Sequence, residues 1–158
     1  MFHMVVTRPA SADDYARLVQ WVPDAAALYL FAGPSLVWPP TVAQFEQLAT
    51  RPGLSAWVLD DDQHQAAWGH FDLTTQGRSA RLGRVIIDPR YRGRGLGHSL
   101  TRASIERARV LDMSEVRLAV VTDNEPAVRA YRGAGFEEVE DPERPQFTTM
   151  AYQISDHP

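Results

Sequence analysis

The sequence predicts one mixed α/β domain with a largely antiparallel central sheet flanked by helices, residues 1–158 forming a single unit. Three observations predict it. A chain of 158 residues is long enough to bury one core and short for two. The stretch from residue 54 to 88 reads as consecutive strands joined by short turns. Segments with helical spacing of apolar residues lie before and after it.

The elements follow in order. MVVTRPA (residues 4–10) alternates as an opening strand, and SADDYARLVQWV (11–22) places Ser11 as an N-cap ahead of helically spaced apolar residues. In LYLFAGPSLVWPP (28–40), Gly33, Pro34, Pro39 and Pro40 break regular structure and leave Phe31, Leu36, Val37 and Trp38 in an apolar loop. Thr41 caps the helix TVAQFEQLATR (41–51), which Pro52 and Gly53 close; LSAWVLDD (54–61) is a strand, with residues 60–63 as its turn. QAAWGHFDLTT (65–75) and SARLGRVIID (79–88) are further strands hinged at Gln76 and Gly77, so this part of the sheet is an antiparallel meander. After a glycine-rich loop and a long helix, EVRLAVV (115–121) is a strand, a short helix starts near Asn124, Gly135 stops it, and FEEVE (136–140) is extended.

Composition narrows the function. Apolar and charged shares of 44% and 23% are those of a globular protein. The absence of cysteine removes thiol catalysis, disulfides and thiolate-bound zinc. All 16 basic residues are arginine, which excludes lysine-dependent mechanisms, and a formal charge of −4 argues against a broad nucleic-acid surface. No run approaches the ~18 apolar residues that span a bilayer, and MFHMVVTRPA lacks the features of a signal peptide. No membrane association and a cytoplasmic location are therefore expected. His3, His64 and His157 offer no metal-ligand spacing, so no metal is expected.

The most informative stretch is RVIIDPRYRGRGLGHSLTRASIERARVL (84–111), in which a β-branched run ends at Asp88 and Pro89 and a glycine-rich loop opens a helix. Gly93, Gly95 and Gly97 remove side chains where backbone amides must approach an anion, the helix N-terminus adds partial positive charge, and Arg92 and Arg94 can add charge-assisted hydrogen bonds. Such a turn suits a pyrophosphate. It is not a P-loop, because His98 follows Gly97 and no lysine exists to reach terminal phosphates. Nor does G-R-G-L-G, coming after several strands, match the dinucleotide fingerprint of a first strand–helix unit.

With Arg92, Gly95 and Gly97 in the pattern Arg/Gln, two residues, Gly, one residue, Gly/Ala, the loop resembles the signature of the GNAT superfamily of N-acetyltransferases. The resemblance implies a sheet in which the strand before the loop splays from its neighbour. It implies that Val85, Ile86 and Ile87 pair with the pantetheine arm of acetyl-CoA and that Arg92, Gly93, Arg94, Gly95, Leu96, Gly97 and His98 form its pyrophosphate site. TDNEPAVRAYRGAGF (122–136) resembles the family's second motif. Here Asn124 is implied to contact the CoA arm, Ala127 to pack beneath it and Tyr131 to reach the thioester sulfur. Their spacing of three and four residues puts all three on one helix face.

Acyl transfer to an amine needs loss of the amine proton, stabilisation of an oxyanion and protonation of the thiolate. A backbone N–H at Ile87 is the candidate oxyanion donor, and Tyr131, with an unperturbed pKa of about 10, the candidate acid. Two positions that carry a glutamate in some relatives hold Arg81 and Ala119 here. His70 and Asp72, two residues apart on one strand face, are the remaining candidates for the base, directly or through water. Phe31, Trp38, Trp57 and Trp68 either shape an apolar acceptor pocket or belong to the core. The acceptor expected is a small-molecule primary amine. A peptide or protein amine and a catalytically silent CoA sensor are the alternatives, and a homodimer is compatible with the resemblance.

Overall fold

A computed structural model describes residues 5–61 and 66–154. Met4, His3, His64, His157 and residues 62–63 of the expected turn lie outside the described residues. Among the described residues fourteen elements build two layers of helix on one sheet, and local chemistry starts most of them. Helix α1 (Ala12–Leu18) begins in a capping box, with Ser11 and Asp14 satisfying each other's backbone N–H groups. Asp24 caps α2 (Ala25–Ala32) and Thr41 caps α3 (Val42–Leu48), each side chain accepting from the backbone three residues on. Helix α2 corrects the expected loop: Asp24 and a run of alanine and leucine form two helical turns before Gly33 and Pro34 break them into a 3-10 turn, Gly33–Ser35.

The strands are β1 (Val5–Pro9), β2 (Leu54–Asp61), β3 (Gly69–Gln76), β4 (Ser79–Ile87), β5 (Glu115–Val121), β6 (Glu137–Val139) and β7 (Phe147–Gln153). They form one sheet in the order β1-β2-β3-β4-β5-β7-β6. β1 to β4 make the expected antiparallel meander, β4 and β5 are the one parallel pair among the described residues, and β7 inserts antiparallel between β5 and β6. Strand β7 is not among the elements the sequence predicts. Helices α4 (Leu96–Val110) and α5 (Glu125–Gly133) complete the fold.

Each sheet face buries its own core. On one, Phe71, Leu73, Ala80, Leu82, Val116 and Met150 pack against Leu100, Ile105 and Ala108 of α4 and Val128 of α5. On the other, Ile86 meets Tyr15, Leu18, Leu28, Phe45 and Leu48 from α1, α2 and α3. Full burial of such side chains stabilises by about 1.5–3 kcal/mol each, which offsets the low intrinsic stability of helices as short as seven residues.

Candidate active site

β3 and β4 pair His70 with Ile86 and Asp72 with Gly83, so Phe71 alone stands opposite two residues, Arg84 and Val85. That is a β-bulge, and Arg84 carries it with a left-handed φ of 46°. Inserting one residue reverses which side chains face which layer. Before the bulge Ala80 and Leu82 belong to the α4/α5 core; after it Val85 and Ile87 do, and Ile86 turns to the opposite face.

The parallel pairing of β4 with β5 covers only Ser79–Arg81 with Glu115–Arg117. Beyond it the strands diverge, which is the expected splay, and β5 continues its pairing with β7 instead. The Asp88 N–H donates to the Trp68 carbonyl at 2.8 Å, on the β3 side. Because successive N–H groups of a strand point to opposite edges, that of Ile87 is directed to the open edge facing β5.

At the end of β4 the buried Asp88 carboxylate accepts from the Arg90 backbone at 2.9 Å and its guanidinium at 2.8 Å, closing a 3-10 turn, Pro89–Tyr91. Burial alone would raise the Asp88 pKa, but the Arg90 hydrogen bonds, with the charges of Arg90 and Arg92, hold it below the usual carboxylate range. The chain then passes through Gly93 (φ 79°) and Gly95 (φ 74°), left-handed positions that suit glycine. Gly95 is the N-cap of α4 and supplies no side chain, and the first turn holds no acidic residue, so its N–H groups are left for an external acceptor. Arg92, Gly93, Arg94, Gly95, Gly97 and His98 are all exposed; Leu96 packs inward. The Arg94 guanidinium lies over the Tyr91 ring, 5.2 Å from its centroid. A Cβ at Gly93 or Gly95 would meet nothing within 4 Å, and one at Gly97 only Ile87 Cδ1 at 3.7 Å. Neighbouring side chains therefore do not require glycine here; the left-handed backbone favours it at Gly93 and Gly95, and neither reason applies at Gly97.

In α5, Asn124 is the N-cap, its Oδ1 3.4 Å from the Ala127 N–H. Ala127 and Tyr131 share the face that packs on the α4/α5 core. Tyr131 stands edge-on to Phe136 at 5.6 Å between centroids, and its hydroxyl makes no hydrogen bond among the described residues. Part of its surface stays accessible, while burial pushes the phenol up to about 12. Gly135 turns the chain back at φ 104°, where a Cβ would stand 3.0 Å from the Tyr152 ring. Val85, Ile87, Leu96, Ala127 and Tyr131 thus border one core cluster, so the splayed strand, the glycine loop and α5 meet on one side of the sheet.

His70 and Asp72 lie on the other face, and both engage Arg84. His70 Nδ1 is 2.8 Å from the Arg84 carbonyl oxygen, which can only accept, so the ring N–H sits there and Nε2 is bare. Nε2 is buried without a partner, and Tyr15, Phe31 and Phe45 surround the ring edge-on at 6.1–6.3 Å. Burial pushes the His70 pKa down, against the pull of Asp72 and the carbonyl, so the ring is neutral at neutral pH. Asp72 binds the Arg84 guanidinium through both oxygens. Among the aromatic candidates, Trp68 is core and Trp57 is stacked under Arg107 at 4.1 Å; Phe31 lies beside His70 and Trp38 is exposed. The role of Arg84 is not legible in the sequence, since no local signal marks an arginine for a left-handed bulge position.

An open strand edge thus leads towards an uncapped helix N-terminus. The chain belongs to the acetyltransferase (GNAT) family, whose model its residues 20–136 match. L-amino acid N-acetyltransferase AaaT of Escherichia coli (strain K12) is 34% identical over 100 residues, 58% of this chain and 59% of that protein, so the chain spans less than two thirds of this relative's length. The fold is similar to that of spermidine N-acetyltransferase from Vibrio cholerae in complex with CoA and spermine, with TM-score 0.76, 18% identity and coverage of 94% of this chain and 95% of the other. It is equally similar to AAC(6')-Ib in complex with Parmomycin and AcetylCoA, with TM-score 0.76, 17% identity and coverage of 94% and 93%. Among the described residues no helix is long and apolar enough to cross a membrane, and no group of three or more acidic or histidine side chains could hold a metal ion.

Proposed function

We propose that the protein transfers the acetyl group of acetyl-CoA to a primary amine of a small molecule by direct attack. The observation that carries this reading is the open β4 edge, which runs straight into the uncapped N-terminus of α4 on the same side of the sheet as Tyr131. Acetyl-CoA supplies an extended amide-bearing arm, a pyrophosphate and an activated acyl group. Backbone of Val85–Ile87 would align the arm, Asn124 and Ala127 would flank it, and the amides from Gly93 to His98 with Arg92 and Arg94 would hold the pyrophosphate.

In the reaction the amine nitrogen bonds to the thioester carbonyl carbon and the carbonyl electron pair moves to oxygen, where the Ile87 N–H donates to it. Collapse re-forms the carbonyl, breaks the C–S bond and leaves the electron pair on sulfur, while the amine proton departs to water. Tyr131 then faces the sulfur with a proton it holds to about pH 12. A thiol pKa near 8.5 makes full transfer from such a phenol uphill, so its contribution is a hydrogen bond to the developing thiolate. The small-molecule acceptor draws support from the spermine and Parmomycin bound in the two similar folds.

Titration calorimetry with acetyl-CoA and a thiol-release screen test the reading. The amines are spermidine, a panel of L-amino acids, an aminoglycoside and a peptide with a free N-terminus. Thiol release with one of the first three supports it. Release with the peptide alone moves the acceptor to proteins, binding without release indicates a CoA sensor, and absence of binding overturns the reading.

A further inference from the structure

Arg84 is held from three directions. Asp72 takes its Nε and Nη2 through a two-bonded fork, the second bond 2.6 Å long; Ser35 of the turn after α2 lies 3.4 Å from Nη1; and His70 donates to its carbonyl at 2.8 Å. Asp72 and His70 are each 1% exposed. A Cβ at Gly83 would stand 3.2 Å from Asp72 Oδ1, so glycine beside the bulge leaves room for that carboxylate. A left-handed φ is unfavourable for a residue with a side chain and persists where the surroundings over-determine it. Here two β3 side chains do so, one gripping the end of the Arg84 side chain and the other its backbone.

Neither of them is placed to be a base. Both Asp72 oxygens are engaged by the guanidinium, and the bare Nε2 of His70 is walled in by Tyr15, Phe31 and Phe45. What they do control is the bulge, and the bulge sets the parity and direction of the three residues after it. We infer that Asp72 and His70 are positioning residues: by fixing Arg84 they aim the Ile87 N–H at the oxyanion, and Ser35 ties this alignment to the turn after α2. The inference rests on the acetyl-transfer reading above. An oxyanion donor acts only where it is pre-aligned, so a small rotation of β4 lowers turnover without weakening the contacts of the loop that holds the pyrophosphate.

The test separates alignment from folding and from acid–base chemistry. Removing one partner of the Asp72–Arg84 pair would strand a buried charge, so the variant is the uncharged pair Asp72→Asn/Arg84→Gln, measured beside His70→Leu and His70→Asn. Each is assayed for acetyl transfer to the fastest amine of the screen and for acetyl-CoA affinity by calorimetry. The paired variant and His70→Leu are expected to lose about 10²-fold in kcat with acetyl-CoA Kd within about threefold of wild type. His70→Asn, whose amide can still donate to the Arg84 carbonyl, recovers about tenfold relative to His70→Leu. Folded variants with kcat within about threefold of wild type overturn the inference, as does a His70→Asn loss equal to that of His70→Leu, which marks His70 as a base. Failure of the wild-type chain to bind acetyl-CoA would instead remove the functional reading itself.

Discussion

The ring of Tyr131 stands edge-on to that of Phe136, centroids 5.6 Å apart and planes at 69°, so the tyrosine is anchored by its ring while its hydroxyl has no protein partner among the described residues. Tyr131→Phe should therefore keep the fold, the melting temperature and the CoA affinity. Turnover should fall by about 10²-fold, the loss of one hydrogen bond to the developing thiolate, since a phenol raised to about 12 keeps its proton. Steady-state kinetics with chemistry shown to be rate-limiting, beside thermal melts, check this; turnover within a few-fold of wild type would make Tyr131 a packing residue.

Gly95 has φ 74° and nothing within 4 Å of the position its Cβ would take. Gly95→Glu should abolish detectable CoA binding, since it adds an anion at the helix N-terminus that would hold the pyrophosphate. Gly95→Asn tolerates the left-handed backbone and adds no charge, so it should weaken binding far less. Calorimetry on both variants, with circular dichroism to verify folding, distinguishes charge from backbone strain.

Arg92 is exposed at the mouth of the loop, and its charge helps hold Asp88 ionised. Arg92→Ala should weaken CoA by about tenfold, the loss of one charge-assisted hydrogen bond. A pantetheine fragment without the pyrophosphate should lose almost nothing. Equal losses for the two ligands would place the effect in the fold and not in the phosphate contact.

Asp14 couples stability to acid. It accepts from the Ser11 N–H at 2.8 Å and from Arg8 Nη1 at 2.8 Å, and although burial alone would raise its pKa, the Arg8 and Ser11 hydrogen bonds lower it below the ordinary value. A carboxyl whose folded pKa is depressed stabilises above the unfolded pKa of about 4 and loses that contribution as pH falls through the folded value. Asp14→Ala should destabilise by about 2 kcal/mol at pH 7. Urea titrations from pH 5 down to about pH 2 should show wild type converging towards the variant; parallel curves would contradict the assignment.

Much of the site was legible because its signals are local. The glycine-rich loop that opens α4 follows from three glycines and two arginines ahead of an apolar-periodic helix, and the caps Ser11, Thr41 and Asn124 follow from which side chains can satisfy the first N–H groups of a helix. These depend on neighbours a few residues away, which a sequence contains in full. Helix α2 carried such a signal in Asp24 and three alanines, but the glycine and prolines after it outweighed it.

Cross-strand facts have no such record. Alternation in SARLGRVII reads as one continuous strand, whereas the fold sets two residues opposite Phe71 and reverses the facing of everything that follows. His70 and Asp72 share a strand face in the sequence, and from that alone either could be a base. Only the structure brings Arg84 between them. The sequence by itself determined the class of protein, the glycine-rich loop ahead of α4 and the helix that bears Tyr131, because glycine, cap and helical spacing act within a turn or two of chain. Tertiary structure decided the splay, the bulge and the roles of the two buried β3 side chains, because each is a choice of partner across the sheet, made by the burial of both faces at once.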